Sequence, residues 1–348
     1  MTAAVMTAHG GPEALEVRDD VPVPTPAPGQ VRIEVAAAGV NNTDLWTRRG
    51  AYGRPGDSDA VAGWRGVPID VPRIQGGDAV GRVVEVGKGV PDDLVGRRVL
   101  VDPITYGEGG APDEPMIEGV LGSEEDGAFA QYVCVDADRA HDVTDAPVSD
   151  AQLACLPIAY GTAAGMLGRA AVGAGERVLV TGASGGVGIA LVQLARARGA
   201  EVIAVTSSGT ADAVAAAGAT NVVRRDVDDL ASRLAELAPE GLDVVADVAG
   251  GPAFGTLLAA LRPAGRLVTC GAVAGPVVEL DLRVLYLERR RLIGSTMHTA
   301  EQFARLVEDA NAGRVDPPVA GTYPLADIHR AQADFAAGNR VGSLVLIP

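Results

Sequence analysis

Residues 1 to about 140 carry short runs in which apolar and polar residues alternate, broken by Gly and Pro. Val31-Arg32-Ile33-Glu34-Val35, Gly81-Arg82-Val83-Val84-Glu85-Val86-Gly87 and Arg97-Arg98-Val99-Leu100-Val101 are three of them. A period of two predicts half-buried strands, and several at short spacing predict an antiparallel, barrel-like region. From about 150 to 295 the pattern changes to apolar runs alternating with Ala-rich helical stretches, which predicts βαβ units around a parallel sheet. The predicted strands are 177–181, 201–206, 221–224, 243–247, 265–270 and 291–294. A helix over 300–312 and a final strand at 344–347 follow, and the tail is expected to return to the first domain and make it discontinuous. Two stretches, 51–74 and 102–126, read as long loops, rich in Gly and Pro and dotted with aromatic residues. Loops of that length inside a compact domain are usually functional, so one of them is expected to line a substrate cleft.

The turn between the first two strands of the parallel region reads Thr181-Gly182-Ala183-Ser184-Gly185-Gly186-Val187-Gly188. Gly182 suits a tight exit from the strand, Gly185 and Gly186 let backbone approach a pyrophosphate, and Gly188 lets the helix pack on the sheet. The helix that follows would point free N–H groups and a positive dipole end at the diphosphate. Strand, turn, helix and second strand arrive in the order a dinucleotide-binding Rossmann unit requires. Gly182, Ser184, Gly185, Gly186, Val187 and Gly188 are therefore candidate cofactor-binding residues. At the end of the second strand, where an acid would bind a ribose 2′-OH, this chain has Thr206-Ser207-Ser208. Hydroxyls and amides without negative charge accommodate a 2′-phosphate, and Arg225 after the third strand would suit a dianion. The implied cofactor is NADPH. The alternative for Arg224 and Arg225 is ion pairing with Asp226 or Asp228.

At 348 residues the chain is long enough for two domains. A formal net charge of −16 argues against a nucleic-acid surface, because phosphate binding needs clustered cations. The three cysteines, Cys134, Cys155 and Cys270, form no CxxC pair and hence no disulfide framework or zinc knuckle. No signal-peptide pattern and no run of about 18 apolar residues is seen, so a cytoplasmic protein with no membrane association is expected.

Several motifs in order resemble the medium-chain dehydrogenase/reductase superfamily, in its zinc-independent, quinone oxidoreductase-like branch. They are Asn41-Asn42-Thr43-Asp44, Gly127-Ala128-Phe129-Ala130-Gln131-Tyr132, Tyr160-Gly161-Thr162-Ala163, the glycine turn, and the terminal Val-Gly-Ser-Leu-Val-Leu-Ile-Pro. The resemblance implies an α/β protein: a GroES-like β-rich domain from residues 1–145 and 300–348, and a doubly wound Rossmann domain over 146–299. It also implies a nicotinamide in the interdomain cleft, and a homodimer. Zinc-dependent relatives carry Cys at the position of Asn41 and His at that of Gly77; neither Asn nor Gly replaces those ligands, so no metal is expected. Asn41 matches an asparagine placed near nicotinamide and substrate, and Tyr52 a tyrosine at the cleft mouth; both are candidate catalytic residues. Thr162, Gly271 and Ala272 join the candidate cofactor residues, and Asp247 is expected to be structural. The lysine that accompanies firm NADPH preference is matched by Ala211, with Arg225 positioned to compensate. The implied reaction is hydride transfer to a quinone or activated enone. The alternatives are an enoyl-thioester or enone reductase, with Tyr52 or Tyr106 as a donor, and an NADPH-binding redox sensor with little turnover; His298, after the last Rossmann strand, is expected to be a hydrogen-bonded structural residue, with a place facing the cleft as the alternative.

Overall fold

In the computed structural model, which describes residues 1–51, 69–111, 114–338 and 340–348, the chain divides into two units. One comprises Met1–Ile158, Thr299–Gly338 and Ser343–Pro348; the other comprises Ala159–His298 and Asn339–Gly342.

The first unit is organised by one long strand, Gln30–Val40. Val31, Ile33 and Val35 are buried while Glu34 faces out, the alternation that a pleated strand with one covered face imposes. This strand pairs antiparallel with Val80–Val86 and Tyr132–Asp136 along its first half. Along its last residues it pairs with the tail strand Ser343–Ile347, Gly39 opposite Val345. The C-terminus thereby seals the edge beside the residues that lead into Asn41. Arg98–Val101, Ala140–Asp142 and Val319–Pro324 complete this sheet. The helix Ala300–Asn311 begins at a reciprocal cap: Thr299 N–H donates to Gln302 Oε1 (3.0 Å), and Gln302 N–H to Thr299 Oγ1 (3.3 Å).

One expectation fails here. Residues 102–126 are mostly a pair of antiparallel strands, Ile104–Ala111 and Glu114–Val120, and not a long loop. Gly107, Gly109 and Gly110 hide the period of two, and the register shifts between Tyr106 and Gly110. Arg139 holds the base of this ribbon, donating to Asp102 O (3.0 Å) and Glu125 Oε2 (2.8 Å).

The second unit contains a six-stranded, all-parallel sheet in the spatial order Asn221–Arg224, Glu201–Thr206, Arg177–Val180, Leu242–Asp247, Leu261–Thr269, Arg291–Gly294. Numbered along the chain, that order is 3-2-1-4-5-6, the doubly wound Rossmann arrangement. The central strands are buried nearly throughout, as a sheet covered on both faces requires. The predicted strands agree within a residue except the fifth, which starts at Leu261. Pro263 and Gly265 form an irregularity within this strand, with Ala264 at φ 62°.

Candidate active site and nucleotide-binding face

In a doubly wound sheet, ligands bind beyond the carboxyl ends of the strands, where the order reverses between the first and fourth. Those ends here are the glycine turn after Val180 and the segment after Asp247. Gly182 adopts φ 56°, a left-handed conformation costly for other residues. A Cβ on Gly188 would lie 2.1 Å from Gly182 O and 2.7 Å from Ala183 Cα, so the helix can close on the turn only with glycine there. Gly185 differs: a Cβ there would meet only Gly182 O, at 3.5 Å. Its open side is the space a diphosphate needs. Gly185 caps the 12-residue helix Gly186–Ala197, whose first amides have no intrahelical acceptor. Ser184, Gly185, Gly186 and Val187 are half-buried around this opening, and Ser184 O accepts from Gly342 N–H at 3.0 Å.

Asp247 is fully buried and binds the turn together. It accepts from Thr181 Oγ1 (2.6 Å), Ala249 N–H (3.0 Å) and Gly250 N–H (3.1 Å). A Cβ on Gly271 would lie 2.6 Å from Val248 O, so this glycine lets the fourth and fifth strand ends approach, with Ala272 next to it. Thr162 is buried in the helix Gly161–Arg169 with its hydroxyl 3.7 Å from Met297 Sδ. His298 is buried too, its ring against the Cα of Gly161.

At the end of the second strand the three hydroxyl residues separate in role. Thr206 is buried and its hydroxyl bonds Thr210 Oγ1 (2.6 Å); the direct contact expected of its side chain is taken up internally. Ser207 bonds the same Thr210 hydroxyl (3.1 Å), and Ser208 is exposed. Arg224 donates to Asp228 at 3.2 Å, the ion-pair alternative. The Arg225 backbone N–H donates to Thr206 O (2.8 Å), which lays the two strand ends side by side; its guanidinium has no ion pair among the described residues. A nicotinamide dinucleotide fits this face: open glycine, free helix amides and polar groups at the ribose end.

The other candidate site lies in the first unit. Asn41 ends the Gln30–Val40 strand and caps the helix Asn42–Arg49, its backbone N–H donating to Asp44 Oδ2 (2.8 Å). Its side-chain amide donates to Asp78 Oδ2 (2.7 Å), while Asp78 Oδ1 accepts from Ile158 N–H (2.7 Å). Asp44 and Asp78 are both buried. Burial pushes the Asp44 carboxyl up to about 7, the Asp78 charge adding to the rise while the Asn41 and Gly76 amides oppose it. Asp78 is likewise pushed up to about 7 by burial, against the Asn41 and Ile158 bonds. Tyr52 lies outside the described residues. Tyr106 is half-buried on the Ile104–Ala111 strand, its hydroxyl 3.3 Å from Asp102 Oδ2.

Carboxyls in an unfolded chain titrate near pH 4. With folded values above that, the stability gained by keeping Asp44 and Asp78 protonated is complete below about pH 4 and is lost as pH rises to about 7. The wild-type Tm should therefore fall relative to that of Asp78→Asn between about pH 5 and pH 8, because the variant lacks one titration. The cost of turning an amide toward Ile158 N–H is a constant offset. A Tm difference independent of pH contradicts these ionisations.

Zinc takes thiolate, imidazole or carboxylate ligands in tetrahedral array. Among the described residues, the groups at Asn41 are an amide and two carboxyls already engaged by N–H donors, with Gly77 packed against Ile158; the Cys155 thiol near Asp78 donates to Ala151 O (3.2 Å) and is pushed up to about 12 by burial, so this set does not fit zinc. No group of three His, Cys, Asp or Glu placed to hold a metal occurs among the described residues.

Nothing in the sequence ties Asp78 to Asn41, and Asp226 stands out there only as an ion-pair partner for Arg224 or Arg225. Asp78 was visible solely as the neighbour of Gly77. Asp226 had no signal except its place after the third strand.

A family model described as an alcohol dehydrogenase GroES-like domain matches residues 27–145, and one described as a zinc-binding dehydrogenase matches residues 186–312. The chain is 32% identical to acryloyl-coenzyme A reductase of Metallosphaera sedula over 99% of both chains. It is 30% identical to quinone oxidoreductase of Mus musculus, covering 100% of this chain and 98% of the relative. Among solved structures it is similar to a candidate alcohol dehydrogenase from Sinorhizobium meliloti 1021 (47% identity, TM-score 0.94, 100% of this chain and 96% of that one). It is also similar to a crotonyl-CoA carboxylase/reductase in complex with NADP (25% identity, TM-score 0.83, 100% and 94%).

Proposed function

This chain belongs to the medium-chain dehydrogenase/reductase superfamily, and from that premise we propose that it is a zinc-independent, NADPH-dependent reductase of conjugated carbonyl acceptors, a quinone or an activated enone. It is an oxidoreductase with a nicotinamide cofactor; the acceptor class and the phosphate are our reading. The observation that carries it is the Asn41 amide, held by Asp78 through one N–H so that its second N–H can serve an acceptor, in a set of groups that does not fit zinc. A simple alcohol or aldehyde needs strong polarisation of its oxygen, whereas a conjugated acceptor spreads the developing charge and needs only orientation and a donor. The bound dihydronicotinamide supplies the hydride. Asn41, its amide fixed by Asp78, is assigned to orient the acceptor, and the glycine turn to hold the diphosphate. NADPH is favoured by the absence of a second-strand acid and by Arg225 beside Thr206.

The relation to acryloyl-coenzyme A reductase favours a second acceptor, an enoyl thioester. An enone or enoyl thioester would gain hydride at the β-carbon and a proton at the α-carbon, whereas a quinone would take the same two electrons with two protons and end as the hydroquinone, both hydrogens on oxygen. A panel of 1,4-benzoquinone, cyclohexenone, crotonyl-CoA and butanal, followed by NADPH absorbance, separates them. Consumption by conjugated acceptors only is expected; consumption by butanal alone contradicts the reading.

A homodimer completes the proposal. The Arg291–Gly294 strand pairs on one side only among the described strands; Leu292 on it is exposed, as are Leu282, Tyr286 and Leu287 just before it in sequence. An edge strand is self-complementary across a two-fold axis, so a second copy is the occupant that fits. Light scattering should give twice the chain mass, and Leu292→Glu should halve it. A wild-type monomer contradicts this assignment.

A further inference from the structure

The ribose end of the nucleotide face holds a carboxylate that the second strand does not supply. Asp226 Oδ1 accepts from Ser208 N–H at 2.9 Å and from Ser208 Oγ at 3.1 Å. Ser208 stands 20 positions after Gly188, about the distance at which NAD-binding Rossmann units deliver the acid that takes the ribose 2′-OH. The register explains the coincidence. Thr206 pairs with Arg224, and Arg225 N–H is bonded to Thr206 O, so the residue after Arg225 lies across the end of the second strand. The missing acid is thus replaced in space from the neighbouring strand.

We propose that Asp226 is a specificity-determining residue for the ribose 2′ substituent, opposing Arg225: its carboxylate holds the Ser208 donors that a 2′-phosphate would use. This rests on the reading that the chain takes NADPH, and deepens it. A 2′-hydroxyl can donate to Asp226 while Ser208 stays bonded, because a carboxylate has several lone pairs. A 2′-phosphate carries no donor for Asp226 when fully ionised, and two anions cannot share the two Ser208 bonds. NADPH must therefore displace the carboxylate and take Ser208 and Arg225; NADH need not. The Ser208 amide, the largest influence, holds the Asp226 carboxyl below its usual range, with Arg225 adding to the effect. With Asp226 opposing Arg225 at the same two donors, the wild-type preference is expected to be moderate, with measurable affinity for both cofactors.

The test reads affinity without turnover. Calorimetric Kd values are measured for NADPH, NADH, adenosine 2′,5′-bisphosphate and AMP with wild type, Asp226→Asn, Asp226→Ser and Arg225→Ala. Both Asp226 variants should tighten NADPH and the bisphosphate by roughly tenfold, with NADH and AMP unchanged or a few-fold weaker. Arg225→Ala should weaken NADPH and the bisphosphate by a similar factor and spare the other two. Asp226 is exposed, so these variants keep the fold. An equal change for all four ligands, or none, overturns the proposal. If wild type binds NADH more tightly than NADPH, the NADPH reading fails; Asp226 is then still confirmed by a tenfold shift toward NADPH in its variants, and refuted without it.

Discussion

Gly188→Ala is expected to abolish nucleotide binding and to destabilise the protein as well. The added methyl would lie 2.1 Å from Gly182 O and 2.7 Å from both Ala183 Cα and Gly182 C. All three are backbone atoms of the glycine turn, so no side chain can move aside. Either the helix Gly186–Ala197 retreats from the sheet or the turn opens, and overpacking of this kind costs about 3 kcal/mol. Nucleotide affinity should drop roughly a hundredfold or more, since the helix amides no longer point where the diphosphate sits. Gly185→Ala is the informative companion. Its methyl meets only Gly182 O at an ordinary 3.5 Å, and Gly185 has an unremarkable φ of −72°. Stability should be unchanged while affinity still collapses, because the methyl occupies the approach that the ligand needs. Thermal melting and calorimetric titration of both variants check this. Undiminished NADPH binding by Gly185→Ala contradicts the placement of the diphosphate.

Gly39→Ala should have the opposite signature, leaving nucleotide affinity intact and removing turnover. A Cβ there would lie 2.3 Å from Asp78 Oδ2 and 2.4 Å from Ala154 O. Gly39 is fixed by its pairing with Val345 on the tail strand, so Asp78 and the Ala154 carbonyl must both yield. Displacement of Asp78 breaks the 2.7 Å bond to the Asn41 amide and the 2.7 Å bond from Ile158 N–H. A buried carboxyl stripped of its donors costs about 1–3 kcal/mol, on top of the steric term. The turnover number should fall by roughly a hundredfold with Kd for NADPH unchanged, because the disturbed residues belong to the other unit. Full turnover in a folded Gly39→Ala protein would show that the position of Asn41 does not matter to the reaction.

These variants turn on features that differed in how far sequence revealed them. The glycine turn was legible because each glycine answers a local demand: left-handed backbone at Gly182, close helix packing at Gly188, open approach at Gly185. The parallel strands were legible because burial on both faces makes them continuously apolar. The ribbon over 104–120 was not, since its glycines remove the side chains whose alternation would signal strands. Asn41 stood out by its motif, but its tie to Asp78 spans 37 positions and depends on tertiary pairing. Asp226 was hidden for the same reason. Its role comes from the register of the second and third strands, which brings Ser208 and Asp226 together across 18 residues.

The most direct measurement is a single turnover with NADPH deuterated at the transferable C4 position, an enone or crotonyl-CoA as acceptor, and mass analysis of the product. One deuterium on the β-carbon of the saturated product is expected, at a rate reduced by a primary isotope effect. Tight binding of the labelled cofactor, with no deuterium in the saturated product and no NADPH oxidation by 1,4-benzoquinone, would contradict it and leave a nicotinamide-binding protein without this chemistry.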